Sequence, residues 1–226
     1  MPLKDRFQMI QQQIRQFSSG EIQLIGVSKH QSVEKIQELF DAGLSSFGEN
    51  RVQEAKDKKP QLPKEIEWHL IGHLQKNKAK QAIELFDWIH SVDSWELAEI
   101  LNREAEKQNR RPKVLLQVNI AEEPQKFGIT VAELPRITEQ MQNLSNLDWR
   151  GLMLMAPYYE NIEDTRPIFY QGRMLFNQIQ SQFGPQIQTL SMGMSRDFTV
   201  ALSEGANMVR IGSALFNENA NNERSF

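Results

Sequence analysis

The chain has no cysteine among its 226 residues. That excludes disulfides, thiolate nucleophiles and zinc–thiolate sites, while leaving the compartment open. No basic excess is present either. The formal net charge is −3, so no positive field recruits nucleic acid or an anionic membrane. No apolar run approaches the ~20 residues that cross a bilayer. Residues 1–20 carry charges and glutamines rather than the continuous apolar stretch of a signal peptide. No interior stretch rich in Pro, Gly or Ser marks a linker, and no tandem repeat is evident. These absences give the expectation of one cytoplasmic domain over 1–226. At 39% hydrophobic and 24% charged, the composition is that of an ordinary globular protein with a core.

What is present is regular alternation. Phe7, Ile10, Ile14 and Phe17 recur at helical spacing, and Ser18-Ser19-Gly20 ends that segment. Strand-like runs follow at 22–28, 45–48, 67–71, 88–91, 114–119, 149–155, 187–191 and 207–211. Helical patterns lie between them, notably at 33–42, 95–108, 134–143, 165–183 and 197–204. Ser32 and Ser94 stand where N-caps belong, and Gly43 and Gly205 where helices stop. Strand followed by helix, repeated, implies parallel strands joined by crossover helices. Eight units in roughly 200 residues fit a small closed (β/α)₈ barrel of the TIM type, here with an extra N-terminal helix. A doubly wound open sheet is the alternative.

In such barrels function collects at the carboxyl ends of the strands. The first apolar run ends in Lys29. A lysine at the end of a buried strand is either solvated or held for use. Burial lowers an amine's pKa, and an unprotonated amine forms a Schiff base with an aldehyde such as pyridoxal phosphate. The seventh run leads into Ser191-Met192-Gly193-Met194-Ser195 ahead of a helix, and the eighth into Gly212-Ser213. Free N–H groups and hydroxyls there suit an anion, although Ser195 would also serve simply as a cap. Arg210 sits inside the apolar strand Met208–Ile211 and needs a partner. That partner is either a structural carboxylate or, in a pyridoxal phosphate site, the ring nitrogen. A guanidinium stays protonated and would leave that nitrogen unprotonated, making the ring a poor electron sink. His69 and His73 are four apart but on a strand pattern, so no metal site is expected from them. His69 is expected to pack or hydrogen-bond near the pocket floor. Lys76, Lys78 and Lys80 read as a solvated helix face.

Several segments together resemble one family. They are Gly26-Val27-Ser28-Lys29, the block from Phe47 to Glu54, the block from Trp68 to Lys78, Lys126-Phe127-Gly128, Gly151-Leu152-Met153, the block from Leu190 to Asp197, and Val209-Arg210-Ile211-Gly212. Over about Glu21 to Phe216 the chain is similar to the pyridoxal phosphate homeostasis proteins. The resemblance implies a single barrel like the N-terminal domain of alanine racemases, and pyridoxal 5′-phosphate (PLP) as cofactor, joined to Lys29. It implies phosphate contacts from Ser191, Ser195 and the Gly212 backbone. Arg210 would meet the ring nitrogen, and Asn50, His69 and Met155 would line the pocket. It further implies a monomer without catalytic residues that buffers the cofactor or passes it to PLP-dependent enzymes, and so influences amino-acid and keto-acid balance. The alternative is a small amino-acid racemase. Racemisation needs a second base on the opposite face of the substrate. Of the three tyrosines, Tyr158 and Tyr159 fall near a strand end. The chain ends soon after the last motif, so the racemases' second domain is expected to be missing.

Overall fold

A computed structural model describes residues 1–18, 20–123 and 126–216. Ser19, part of the expected helix stop, lies outside the described residues. The eight strands are β1 (Gln23–Val27), β2 (Ser46–Glu49), β3 (Glu67–Leu70), β4 (Trp88–Val92), β5 (Lys113–Val118), β6 (Asp148–Leu154), β7 (Thr189–Met194) and β8 (Met208–Ile211). They pair in chain order, all parallel, and β1 pairs with β8 to close the barrel. Closure removes the open-sheet alternative. The helices are α1 (Leu3–Phe17), α2 (Val33–Asp41), α3 (Val52–Lys58), α4 (Ala79–Leu85), α5 (Trp95–Lys107), α6 (Leu134–Met141), α7 (Arg166–Phe183), α8 (Phe198–Ser203) and α9 (Ser213–Phe216). None is long and apolar enough to cross a membrane.

Helix α1 forms because its apolar residues share one face. Leu3, Phe7, Ile10 and Ile14 are buried, and the helix packs against α2, α8 and α9. Arg6 is buried with them, its Nε donating to Leu215 O at 2.7 Å. Ser94 caps α5 by accepting from Leu97 N–H at 3.3 Å. Ser32 stands at the start of α2 but makes no side-chain cap bond.

Two cores result from the alternation of side chains along each strand. Outward residues such as Phe47, Trp68, Ile89, Leu116, Leu152 and Val209 pack under the helix ring. Inside the lumen a smaller apolar cluster joins Ile25, Trp88, Leu115, Met153 and Met208, with Met155 packed against it. The rest of the lumen is polar.

The seventh strand departs from expectation. It begins at Thr189, two residues later than the apolar pattern suggests, and runs on to Met194, three residues further. Ile187 is instead held in the turn after α7, its N–H donating to Gly184 O at 3.2 Å. Ser191 is therefore mid-strand rather than at the strand's end. Gly193 carries the strand's last bend at φ +91°, where a Cβ would come within 2.6 Å of the Ala201 Cβ.

Candidate functional site

Lys29 sits beyond β1, in a turn at the carboxyl rim, and is exposed. This corrects the expectation of a lysine at a buried strand end: the strand stops at Val27, and the turn lifts the side chain into solvent. The turn itself is firmly held. Ser28 N–H donates to Gly48 O at 2.9 Å and Gln31 N–H to Ser28 O at 3.0 Å. His30, immediately after Lys29, has φ +60°, and its N–H donates to Glu54 Oε2 at 2.9 Å. A histidine in the left-handed region persists only where its surroundings fix it.

What fixes it is a buried ion pair between β2 and α3. Glu49 is fully buried. Its Oε1 accepts from Lys58 Nζ at 2.8 Å and from Ser28 Oγ at 2.7 Å. Lys58 Nζ also donates to Ser28 O at 2.8 Å and lies 3.5 Å from Glu54 Oε2. Burial raises the Glu49 carboxyl above its ordinary range, against the opposing pull of Lys58 and Ser28. One amine thus ties the backbone before Lys29 to two carboxylates.

Arg210 lies in the lumen on β8, 3% exposed. Its Nη1 donates to Ser191 Oγ at 2.7 Å and its Nη2 to Leu154 O at 3.0 Å. Among the described residues no carboxylate forms an ion pair with it. Asp197 acts only through space, and burial lowers the guanidinium to about 10, so it remains charged at neutral pH. The structural-carboxylate alternative therefore falls. A guanidinium has five N–H donors, and the two bonds to protein leave others for a further acceptor.

Ser191 is wholly buried against Arg210, with its Oγ also 3.3 Å from His90 Nδ1. Its position on β7 turns the side chain into the lumen, where both neighbours meet its oxygen. Ser195 keeps the expected place. Its Oγ accepts from Gly212 N–H at 3.1 Å and Ala214 N–H at 3.3 Å. The two backbone donors thus converge on one oxygen, the arrangement a phosphate oxygen would need. His69 is fully buried on β3, its ring stacked on Trp88 at 5.6 Å between centroids. Asn50 follows β2 at the rim, half-buried, and its backbone lies against Gly72, where a Cβ would stand 2.3 Å from Asn50 O. Met155 follows β6 above the lumen cluster. His73 does not join His69. It accompanies Asp93, with Nδ1 to Oδ2 at 2.8 Å, and stacks on Phe127. Lys76, Lys78 and Lys80 are all exposed.

Sequence reasoning missed Glu49, Lys58, Glu67 and His90. Glu67 and His90 had a faint signal, since each shares an inward-facing alternation with a neighbour, His69 and Trp88 respectively. Glu49 lay within the block from Phe47 to Glu54 without a role of its own, and Lys58 had no signal.

The family profile described as "Alanine racemase, N-terminal domain" matches residues 4–220. The pyridoxal phosphate homeostasis protein of Aquifex aeolicus (strain VF5) is 42% identical over 196 residues, 86% of each chain. This chain belongs to the pyridoxal phosphate homeostasis protein family. Among solved structures, the family member PipY of Synechococcus elongatus PCC7942, without PLP, is 42% identical with a TM-score of 0.89, over 96% of this chain and 100% of that one. PipY with PLP bound is 41% identical with a TM-score of 0.87 over the same shares. Alanine racemase of Clostridium difficile 630 shares the fold at 16% identity and a TM-score of 0.73, over 94% of this chain and 55% of the racemase.

Proposed function

We propose that this protein binds PLP at the carboxyl mouth of its barrel and serves cofactor homeostasis without catalytic turnover. The observation that carries the reading is Arg210, a buried guanidinium with no ion-paired carboxylate and with donors to spare, in a barrel whose rim bears an exposed lysine. PipY, a close relative solved with PLP, supports it.

The residues fit the group. PLP supplies an aldehyde that condenses with a primary amine, releasing water. Lys29 provides that amine, and the Glu49–Lys58 pair holds the turn that presents it. Arg210 donates to the ring nitrogen and, being protonated, keeps that nitrogen unprotonated. Ser195 with the Gly212 and Ala214 N–H groups receives phosphate. Asn50, His69 and Met155 bound the pocket as the resemblance implies, and Ser191 acts on the ring end through Arg210 rather than on phosphate. A poor electron sink suits binding and release better than broad carbanion chemistry.

The racemase alternative needs a second base. Tyr158 is 77% exposed with its ring against Arg196, whose guanidinium lies 4.1 Å from the ring centroid. That position favours a surface role over proton transfer. We further infer one barrel domain over 1–226, acting as a cytoplasmic monomer that yields its cofactor to PLP-dependent enzymes, with no nucleic-acid or membrane partner.

The test is incubation with PLP, borohydride reduction and peptide mass mapping. The reduced adduct is expected on Lys29 alone. Lys29→Ala should fold as the parent does, lose the adduct completely, and retain weaker non-covalent PLP through Arg210 and the Ser195 cradle. An adduct that maps elsewhere, or a parent that takes up no PLP, defeats the reading. Robust turnover of common amino acids, abolished in Lys29→Ala, would favour the enzyme alternative.

A further inference from the structure

A line of polar side chains runs through the lumen beside its apolar cluster. Glu67 opens it at the amino end of β3. Its Oε1 accepts from Trp88 Nε1 at 2.8 Å and Lys113 Nζ at 3.1 Å, and its Oε2 from Gln23 Nε2 at 2.8 Å. His69 Nε2 lies 3.2 Å from Glu67 Oε2, and His69 Nδ1 lies 2.9 Å from His90 Nε2. His90 Nδ1 lies 3.3 Å from Ser191 Oγ, which Arg210 Nη1 approaches at 2.7 Å. Three strands, β3, β4 and β7, therefore carry one continuous chain to the guanidinium on β8.

The chain has only one workable sense. Glu67 is ionised. Burial opposes that, but His69, Trp88 and Lys113 hold its carboxyl well below the usual range. An ionised carboxylate accepts only, so His69 donates from Nε2. Burial lowers both imidazoles, His90 the further, so each is neutral and has one bare nitrogen. His69 Nδ1 is then an acceptor, His90 Nε2 donates to it, and His90 Nδ1 is left to accept from the Ser191 hydroxyl. With its proton so committed, Ser191 Oγ presents lone pairs to Arg210. The opposite sense sets a bare His69 Nε2 against a carboxylate and gives Ser191 a proton with no acceptor. Aligned bonds between a cation and an anion also polarise one another.

We propose that Glu67, His69 and His90 are positioning residues for Arg210, a one-directional hydrogen-bond chain that keeps Ser191 an acceptor and so fixes the guanidinium. This deepens the PLP reading, in which Arg210 meets the ring nitrogen. The chain itself is a property of the free protein.

Two measurements test it separately. Long-range ¹H–¹⁵N correlation spectra of the ligand-free protein report histidine tautomers. At pH 7 both His69 and His90 are expected neutral and protonated on Nε2. Either ring protonated on Nδ1, or cationic, overturns the chain whatever the ligand. The second measurement compares affinity for PLP with that for 1-deazapyridoxal phosphate, where C–H replaces the ring nitrogen. Glu67→Gln, near in shape but able to donate or accept, and His90→Phe should each weaken PLP roughly tenfold, about the worth of one well-placed hydrogen bond. They should leave the deaza analogue unchanged. His90→Gln, which can both donate and accept, should restore much of the loss. Equal weakening of both ligands, or of neither, refutes positioning even with the tautomers as expected. A parent protein that binds neither ligand defeats the functional reading and the positioning role together, while the spectra still judge the chain.

Discussion

Glu49→Ala is expected to cost about 3–5 kcal/mol of unfolding free energy, the scale for removing one partner of a buried ion pair. The loss is not the attraction alone. Lys58 Nζ would stay buried between α3 and the Ser28 carbonyl with its main acceptor gone, and Ser28 Oγ would lose its own. Glu54, 3.5 Å away, would remain, but a largely buried cation that loses its nearest carboxylate is costlier than the intact pair. Glu49→Gln should cost less, because it keeps an oxygen where Oε1 stands. The double variant Glu49→Leu, Lys58→Met should recover much of the loss, since neither member of the pair is then left without the other. Urea titration of the four proteins decides the matter. A Glu49→Ala cost below about 1 kcal/mol would mean that water reaches the pair and that it does not hold the turn. If the pair does hold the turn, Glu49→Ala should also slow borohydride-trappable adduct formation at Lys29, because His30 would leave its left-handed conformation.

Acidification should weaken the fold well before ordinary carboxylates titrate. His69 and His90 are both pushed below their ordinary value by burial. Such a group stabilises fully above its unfolded pKa of about 6.5, and that stability is lost as pH falls towards the folded value, because the unfolded chain takes the proton first. Stability should therefore fall steadily between pH 7 and pH 5. Glu67, held low chiefly by His69 against the effect of burial, adds a loss of the same sign below about pH 4.5. Glu49 and Asp197, both raised by burial, act in the opposite sense and soften the fall. Lys113 beside His69 and Arg210 near His90 oppose protonation of the rings. Denaturant unfolding at several pH values measures the slope, and His90→Gln should remove its share. A stability flat from pH 7 to 5 would show that the two rings are not the buried neutral pair the lumen geometry implies.

All eight strands were legible because each is a short apolar run closed by turn residues. The closed barrel followed from their number and spacing. Helices α3 and α4 were not individually legible. Their buried faces are only Val52 with Ala55, and Ala79, Ala82 and Ile83, too few to establish a period. The start of β7 was misread because Ile187 continues the apolar pattern while its N–H closes a turn. The strand also runs three residues past its expected end, which puts Ser191 mid-strand with its side chain in the lumen. Arg210 was legible as a buried charge in search of a partner. Its route to Glu67 was not. Alternation tells which side chains face inward, but which of them meet depends on the stagger of neighbouring strands, and β4 and β7 both pair irregularly.

The exposure of Lys29 has a consequence for selectivity. An amine standing in solvent is open to any aldehyde that diffuses past, sugars and small carbonyl metabolites included. Such adducts form and hydrolyse reversibly, and the rim lysine has little means of telling one from another. Discrimination therefore falls to the far end of the ligand. On the proposed reading, only a molecule that brings an aromatic nitrogen to Arg210 and an anion to the Ser195 cradle, while its carbonyl reaches Lys29, gains all three holds at once. Dwell time, not reactivity, would then separate the right aldehyde from the crowd.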